Sequence, residues 1–258
     1  MVRKGSFDRK EPKILLFDIE TAPNLGYVWG KWEQNVIEFA DHWYLLSFSA
    51  KWLGEKKVFS HGLSDYKLFK HEKQNDLLLT KLLWKYLDEA DIVIAHNGDQ
   101  FDVKKANALF VKHKLKPPSS YKTIDTKKVA KRHFRFDSNK LDDLGSFFVI
   151  GRKIPTDKDL WFKCMAGDEK AWRKMLAYNK QDVLLLEEVY LKLRAWMDNH
   201  PNLNVLLGLN GNCPLCGSQH LQRRGFGMTR TGRVQRHQCQ DCGGWSSGKT
   251  ESIKEIVK

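Results

Sequence analysis

The chain has 258 residues, 41% of them hydrophobic and 12% aromatic, enough apolar material for one large domain or for a domain of about 200 residues carrying a small module. Charged residues make up 29%, and no apolar run approaches the roughly 18 residues that cross a bilayer, so the composition excludes a membrane-spanning protein. The formal net charge of +13 speaks to partners rather than fold, with nucleic acid the first polyanion to consider and an anionic membrane surface the rival. No basic amphipathic helix with a bare apolar face supports the membrane reading.

In chain order, the opening MVRKGSFDRKEPK is charged and lacks the apolar segment of a secretory signal, so a cytoplasmic location is expected. Apolar runs bounded by turn residues predict strands over 14–19, 43–50 and 92–95, with shorter ones over 57–60 and 121–124. Helical patterns fall between and after them, over 75–89, 101–113 and 168–197. The last repeats Trp172, Leu176, Val183, Leu186, Val189, Leu193 and Trp196 at three- and four-residue spacing. This mixture argues for an α/β domain with a central sheet. Trp43 and Trp52 bracket the second strand as packing residues, whereas Trp29 and Trp32 sit in a loop, either plainly exposed or available to stack on a nucleotide. After Pro201 the texture changes, and GLNGN at 208–212 reads as a hinge. Residues 208–258 hold eight Lys or Arg against three acids. Two domains are therefore expected, 1–207 and 208–258.

Three segments carry acids in unusual settings. In KILLFDIET the alternation of a strand turns Asp18 and Glu20 to one face, where two anions repel unless a cation lies between them; the plainer reading is that both reach solvent. In IVIAHNGDQFD a strand runs through a polar loop into a helix, and Asp102 falls in the first helical turn. A capping role there is as reasonable as a chemical one, and Asp99 competes for it. In YNKQD, Tyr178 and Asp182 lie four apart on the long helix and share a face, as a site pair or as a hydrogen bond at the core's edge.

Together FDIET, AHNGDQFD and YNKQD resemble the DEDD family of 3′–5′ exonucleases, which have an RNase H-like fold of a mixed central sheet flanked by helices. The Y-x-x-x-D spacing of Tyr178 and Asp182 marks the tyrosine branch; no His stands at position 177 for the histidine branch. The resemblance covers about residues 12–200. It implies two Mg²⁺ or Mn²⁺ ions and no organic cofactor, with Asp18, Glu20 and Asp182 at the ion that activates water and Asp18 and Asp102 at the ion beside the leaving group. Tyr178 then orients the attacking water. Asp125, Asp142 and Asp143, in the connecting segment, are expected to be structural or solvent-facing.

Cys213-x-x-Cys216 and Cys239-x-x-Cys242 lie 22 residues apart. Two matched knuckles in a chain without a secretion signal predict a four-sulfur site holding one structural Zn²⁺, and this part resembles the zinc ribbons of nucleic-acid enzymes. Arg223, Arg224, Arg230, Arg233 and Arg236 stand between the knuckles with no Lys and no acid. They form either a solvated hairpin or a phosphate-gripping surface with Phe226 stacking on a base. His220 and His237 read as surface or phosphate-contacting residues, and Cys164 as a core thiol. The expected activity is metal-dependent removal of nucleotides from a 3′ end, on single-stranded DNA before RNA. The rivals are an exoribonuclease, an RNase H-like endonuclease or transposase-type enzyme, and an inactive nuclease fold that only binds nucleic acid. Oligomeric state is open.

Overall fold

The computed structural model describes residues 11–32 and 35–252. Most of the charged opening segment therefore lies outside the described residues. Two compact units are present, one spanning Lys13–Val189 and a second holding the residues from Tyr190 onward.

The first unit is built on a five-stranded sheet. Its strands are β1 (Ile14–Thr21), β4 (Leu45–Trp52), β5 (Val58–Gly62), β6 (Ile92–Ala95) and β7 (Lys122–Asp125), in the order β5-β4-β1-β6-β7. β1 pairs antiparallel with β4 and parallel with β6, β4 and β5 are antiparallel, and β6 and β7 are parallel, so the sheet is mixed. Between β1 and β4 a two-stranded ribbon, β2 (Leu25–Tyr27) and β3 (Glu38–Asp41), leaves the sheet and exposes Trp29 and Trp32. The helices are α1 (Leu77–Glu89), α2 (Asp102–Lys112), α3 (Thr126–His133), α4 (Leu141–Phe147), α5 (Lys158–Ala166) and α6 (Glu169–Leu193).

Alternation along β1 divides its side chains between two environments. Leu15, Phe17 and Ile19 are fully buried in the cluster that also takes Leu79, Leu83 and Leu87 from α1 and Ala106, Leu109 and Phe110 from α2. Leu16, Asp18 and Glu20 point the other way. Across the ladder on that second face lie Lys51, Ser49 and Ser47, paired in register with Leu16, Asp18 and Glu20. Lys51 joins Glu187 of α6 at 2.6 Å and Ser47 reaches Asn179 of α6, so this polar row is roofed by the long helix. A register shift between Glu20 and Thr21 bends the end of the strand, the kind of bulge that re-aims side chains. Trp43 and Trp52 pack against the core as expected, although the strand begins at Leu45 rather than at residue 43. The long helix stops at Leu193 and continues to Trp196 only as a 3-10 turn.

In the second unit a short helix α7 (Leu203–Leu207) precedes a three-stranded antiparallel sheet of β8 (Leu221–Met228), β9 (Gly232–Cys239) and β10 (Trp245–Ser252), in the order β10-β9-β8. Among the described residues no helix is long and apolar enough to cross a membrane.

Candidate active site

Asp18 and Glu20 arrive on the central strand, which pairs with β6 as far as Leu16 and with β4 through both acids. Asp102 is delivered by the turn after β6. Asn97 there takes a left-handed conformation at φ 70° and donates its N–H to Asp125 Oδ1 at 2.9 Å. Gly98 follows because a Cβ at that position would lie 2.4 Å from the Ala95 Cβ. The chain then enters α2 at Asp102, which is 2% exposed and accepts the Ile19 N–H of β1 at 3.1 Å. Asp99, from the same segment, turns aside to Lys128 at 2.7 Å. Asp182 comes from α6, fully buried, with the Tyr178 ring one turn earlier on the same face. Oxygens of Asp18, Glu20 and Asp182 lie within 4.8 Å of one another, and after burial itself Asp102 is the charge that most raises the Asp18 pKa. Residues from three separate stretches of sequence thus meet in one place.

Removing so many carboxylates from water is costly unless cations compensate. Burial, with the repulsion of Asp182, pushes Glu20 up to about 8. Burial lifts Asp102 to about 7 against the pull of the N–H groups of Ile19 and its own backbone, and burial likewise raises Asp18 and Asp182. The Tyr178 hydroxyl is raised by burial and by Glu20 and Asp182, so it stays protonated at neutral pH. The three clustered acids offer hard oxygen donors of the kind that Mg²⁺ and Mn²⁺ take. The buried Asp182 carboxylate is met by the Lys153 ammonium and the Tyr178 hydroxyl while the oxygens of Asp18 and Glu20 crowd it. These residues fit a divalent ion.

Three neighbours were not read from the sequence. Lys153 sets its ammonium 2.6 Å from Asp182 Oδ2 and 4.9 Å from the centre of the Tyr178 ring. Burial opposes its charge, yet Asp182 and Tyr178 raise its pKa and hold it protonated. Its position depends on Asp142, which accepts the Lys153 N–H at 2.7 Å and pairs with Arg152. Asn179 donates to Asp18 Oδ2 at 2.6 Å and to the Asp18 carbonyl at 3.2 Å, fixing the carboxylate's direction. The Trp161 side chain hydrogen-bonds Glu20 and stands edge-on to Tyr178. Asn179 had a signal in the sequence, since it lies three residues before Asp182 on α6. Lys153 and Trp161 lie in a loop and a short helix without such a pattern. Asp125 caps α3 through the N–H groups of Lys127 and Lys128, and with Asp142 it acts as a structural acid.

Beside Glu20 a recess of about 450 Å³ is lined by Thr21, Asn24, Trp43, Lys105, Trp161 and Phe162, among others. The Lys105 ammonium lies 3.5 Å from the Trp43 ring centre. Aromatic walls and a cation beside the acids suit a nucleotide.

In the second unit the four sulfurs of Cys213, Cys216, Cys239 and Cys242 also lie within 4.8 Å of one another. Cys213 and Cys242 are 3.6 Å apart and Cys216 and Cys239 3.7 Å, close to the edge of about 3.8 Å that four sulfurs make around zinc with bonds of about 2.3 Å. Each knuckle ends in a glycine of positive φ, Gly217 at 77° and Gly243 at 75°, which lets the chain turn back over the sulfurs. The set is compatible with a closed, tetrahedral zinc site. Of the arginines, Arg224 and Arg236 lie on one face of the sheet, Arg223 and Arg233 on the other, and Arg230 in the β8–β9 turn. His220 pairs with Asp241 at 3.1 Å, and Cys164 is buried in the core of the first unit.

A mixed sheet roofed by a helix, with carboxylates gathered at its central strand, defines an RNase H-like nuclease domain. A model of the RNase H superfamily matches residues 15–194, well over half of the chain, and the chain belongs to that superfamily. Nucleic acid is accordingly its class of substrate. Comparison with curated proteins gives no match.

Proposed function

We propose that the protein is a metal-dependent 3′–5′ exonuclease of the tyrosine-branch DEDD type, acting on single-stranded DNA in the cytoplasm, with exoribonuclease activity as the alternative. The observation that carries this reading is the clustering of Asp18, Glu20 and Asp182 with the protonated Tyr178, and with the buried Asp102 close enough to raise the Asp18 pKa. Asp18, Glu20 and Asp182 would hold one Mg²⁺ or Mn²⁺, and Asp18 and Asp102 would hold a second. Bound there, the ions supply a nucleophilic water and stabilise charge on the departing 3′ oxygen. The chain's own residues do the positioning. Asn179 locks Asp18, Trp161 holds Glu20, and the Tyr178 hydroxyl orients the water by hydrogen bonding because its proton is retained. Lys153, poised at Asp182, is a cation close enough to meet a phosphate entering the site. The recess between Trp43 and Trp161 takes the terminal nucleotide, which favours a chain end over an internal bond.

Cys213, Cys216, Cys239 and Cys242 hold one structural Zn²⁺, and the module from residue 208 onward grips the strand without reading its sequence. Asp182→Ala should abolish cleavage of a 5′-labelled strand while preserving the far-UV spectrum, and Tyr178→Phe should slow it with divalent-ion binding intact. Full activity in Asp182→Ala, or cutting of circular single-stranded DNA, contradicts the reading.

A further inference from the structure

The three-stranded sheet beside the cysteines has two faces of different character. Residues paired across antiparallel strands point to the same side. Arg223, His237 and Ser246 form one such row, and Arg233 with Glu251 another. On this face Arg233 is already spent, bound to Glu251 at 2.7 Å and lying 4.2 Å from the Phe226 ring centre. Arg223, His237 and Ser246 line a recess of about 610 Å³ together with Asn202, Asn204 and Asn212 of the preceding segment.

The opposite face is open. Gln222, Gln238 and Trp245 form its first row, and Arg236 with Ser247 the next. Trp245 is 50% exposed, with the Arg236 guanidinium 5.7 Å from its ring centre. The Arg236 stem runs over Gly227, where a Cβ would meet Arg236 Cδ at 3.3 Å. Glycine on the neighbouring strand thus leaves room for the long side chain to lie flat on the sheet. Arg224 joins from β8, its Nε donating to Gln238 Oε1 at 3.1 Å. No residue of these rows is acidic. An exposed indole with the Arg236 guanidinium beside it and Arg224 on the same face, neither arginine paired with a carboxylate among the described residues, matches an unpaired base and its neighbouring phosphates.

We infer that the Trp245–Arg236–Arg224 face is the strand-binding surface of this module, Trp245 stacking on one base of single-stranded nucleic acid while Arg224 and Arg236 contact the backbone phosphates. This rests on the module's reading as a nucleic-acid binder and assigns the work to one side of the sheet. It also moves the stacking role from Phe226, which Arg233 covers, to Trp245.

The test is fluorescence anisotropy of the full-length, zinc-loaded protein on labelled oligothymidylate over a salt series, without added Mg²⁺. Trp245→Ala should weaken binding roughly tenfold with the salt slope unchanged, and Trp245→Phe should recover most of the loss. Arg224→Ala and Arg236→Ala should each lower the salt slope by about 0.7, and Arg233→Ala should bind as the parent does. Losses confined to Arg223→Ala, Arg233→Ala and Phe226→Ala overturn the assignment while leaving the module a nucleic-acid binder. Parental binding in all six alanine variants overturns both.

Discussion

Asp76 and Asp182 are both fully buried acids of the first unit, and their surroundings differ in a telling way. Asp76 is saturated, accepting from the Leu45 N–H at 2.9 Å and pairing with His113 at 2.6 Å and Lys112 at 3.2 Å. Such an acid is a structural fastener. Asp182 has one cation among the described residues, Lys153, with the Tyr178 hydroxyl beside it, and stands among other carboxylates. Lys153 and a divalent ion are both attracted to Asp182, so Lys153→Met should tighten Mn²⁺ binding, roughly tenfold for about 1.4 kcal/mol of relieved repulsion. Turnover at saturating Mn²⁺ should fall in the same variant because a cation facing the phosphate is gone. Isothermal titration and single-turnover rates read the two effects separately. A variant with weaker Mn²⁺ binding, or with parental turnover, shows that Lys153 only fills space.

At the scale of elements, α6 packed on the polar face of β1 and β4 is what buries the carboxylates, and burial gives the metal-free protein a pH dependence. In the unfolded chain these groups ionise in the ordinary carboxylate range. In the folded chain Glu20 keeps its proton to about 8 and Asp102 to about 7. Over the interval between, the unfolded state binds fewer protons, so stability contributed by these groups is present at low pH and is lost as pH rises toward 8. A bound divalent ion offsets the ionised cluster. The increase in Tm caused by Mn²⁺ should therefore be larger at pH 8 than at pH 5.5, and Glu20→Gln should shrink the difference. Equal increases at both pH values contradict this.

The same elements explain what could be read in advance. The alternation of β1 and the four-residue spacing on α6 are local rules, and they put Asp18 beside Glu20 and Tyr178 beside Asp182 without knowledge of the fold. The four cysteines were legible for the same reason. Lys153 was not, because its place depends on Asp142, eleven residues away in a segment with no period of its own. Helices α3, α4 and α5 have eight, seven and nine residues, shorter than the windows over which a helical period declares itself. Strands β8, β9 and β10 carry few apolar residues and no strict alternation, so Trp245 had no apolar stripe to mark its face.

At the scale of the molecule, the proposed division of labour places affinity in the cysteine-bearing unit, where residues 208–258 hold eight Lys or Arg against three acids, and chemistry in the other. In a unit this small, the proposed four-sulfur zinc site would make metal binding and folding one equilibrium. Cys239→Ser should lose zinc, seen by elemental analysis. It should also bind oligonucleotides more weakly with a flatter salt dependence, and retain slow Mg²⁺-dependent cleavage. Zinc retained at one ion per chain in that variant refutes the four-sulfur site. The most direct measurement of the central claim is a time course on a 5′-labelled single strand, in Mg²⁺ and in EDTA. The account predicts a ladder shortening one nucleotide at a time from the 3′ end in Mg²⁺ and an intact strand in EDTA. Internal fragments at the earliest times, release of the labelled 5′ nucleotide first, or the same ladder in EDTA would contradict it.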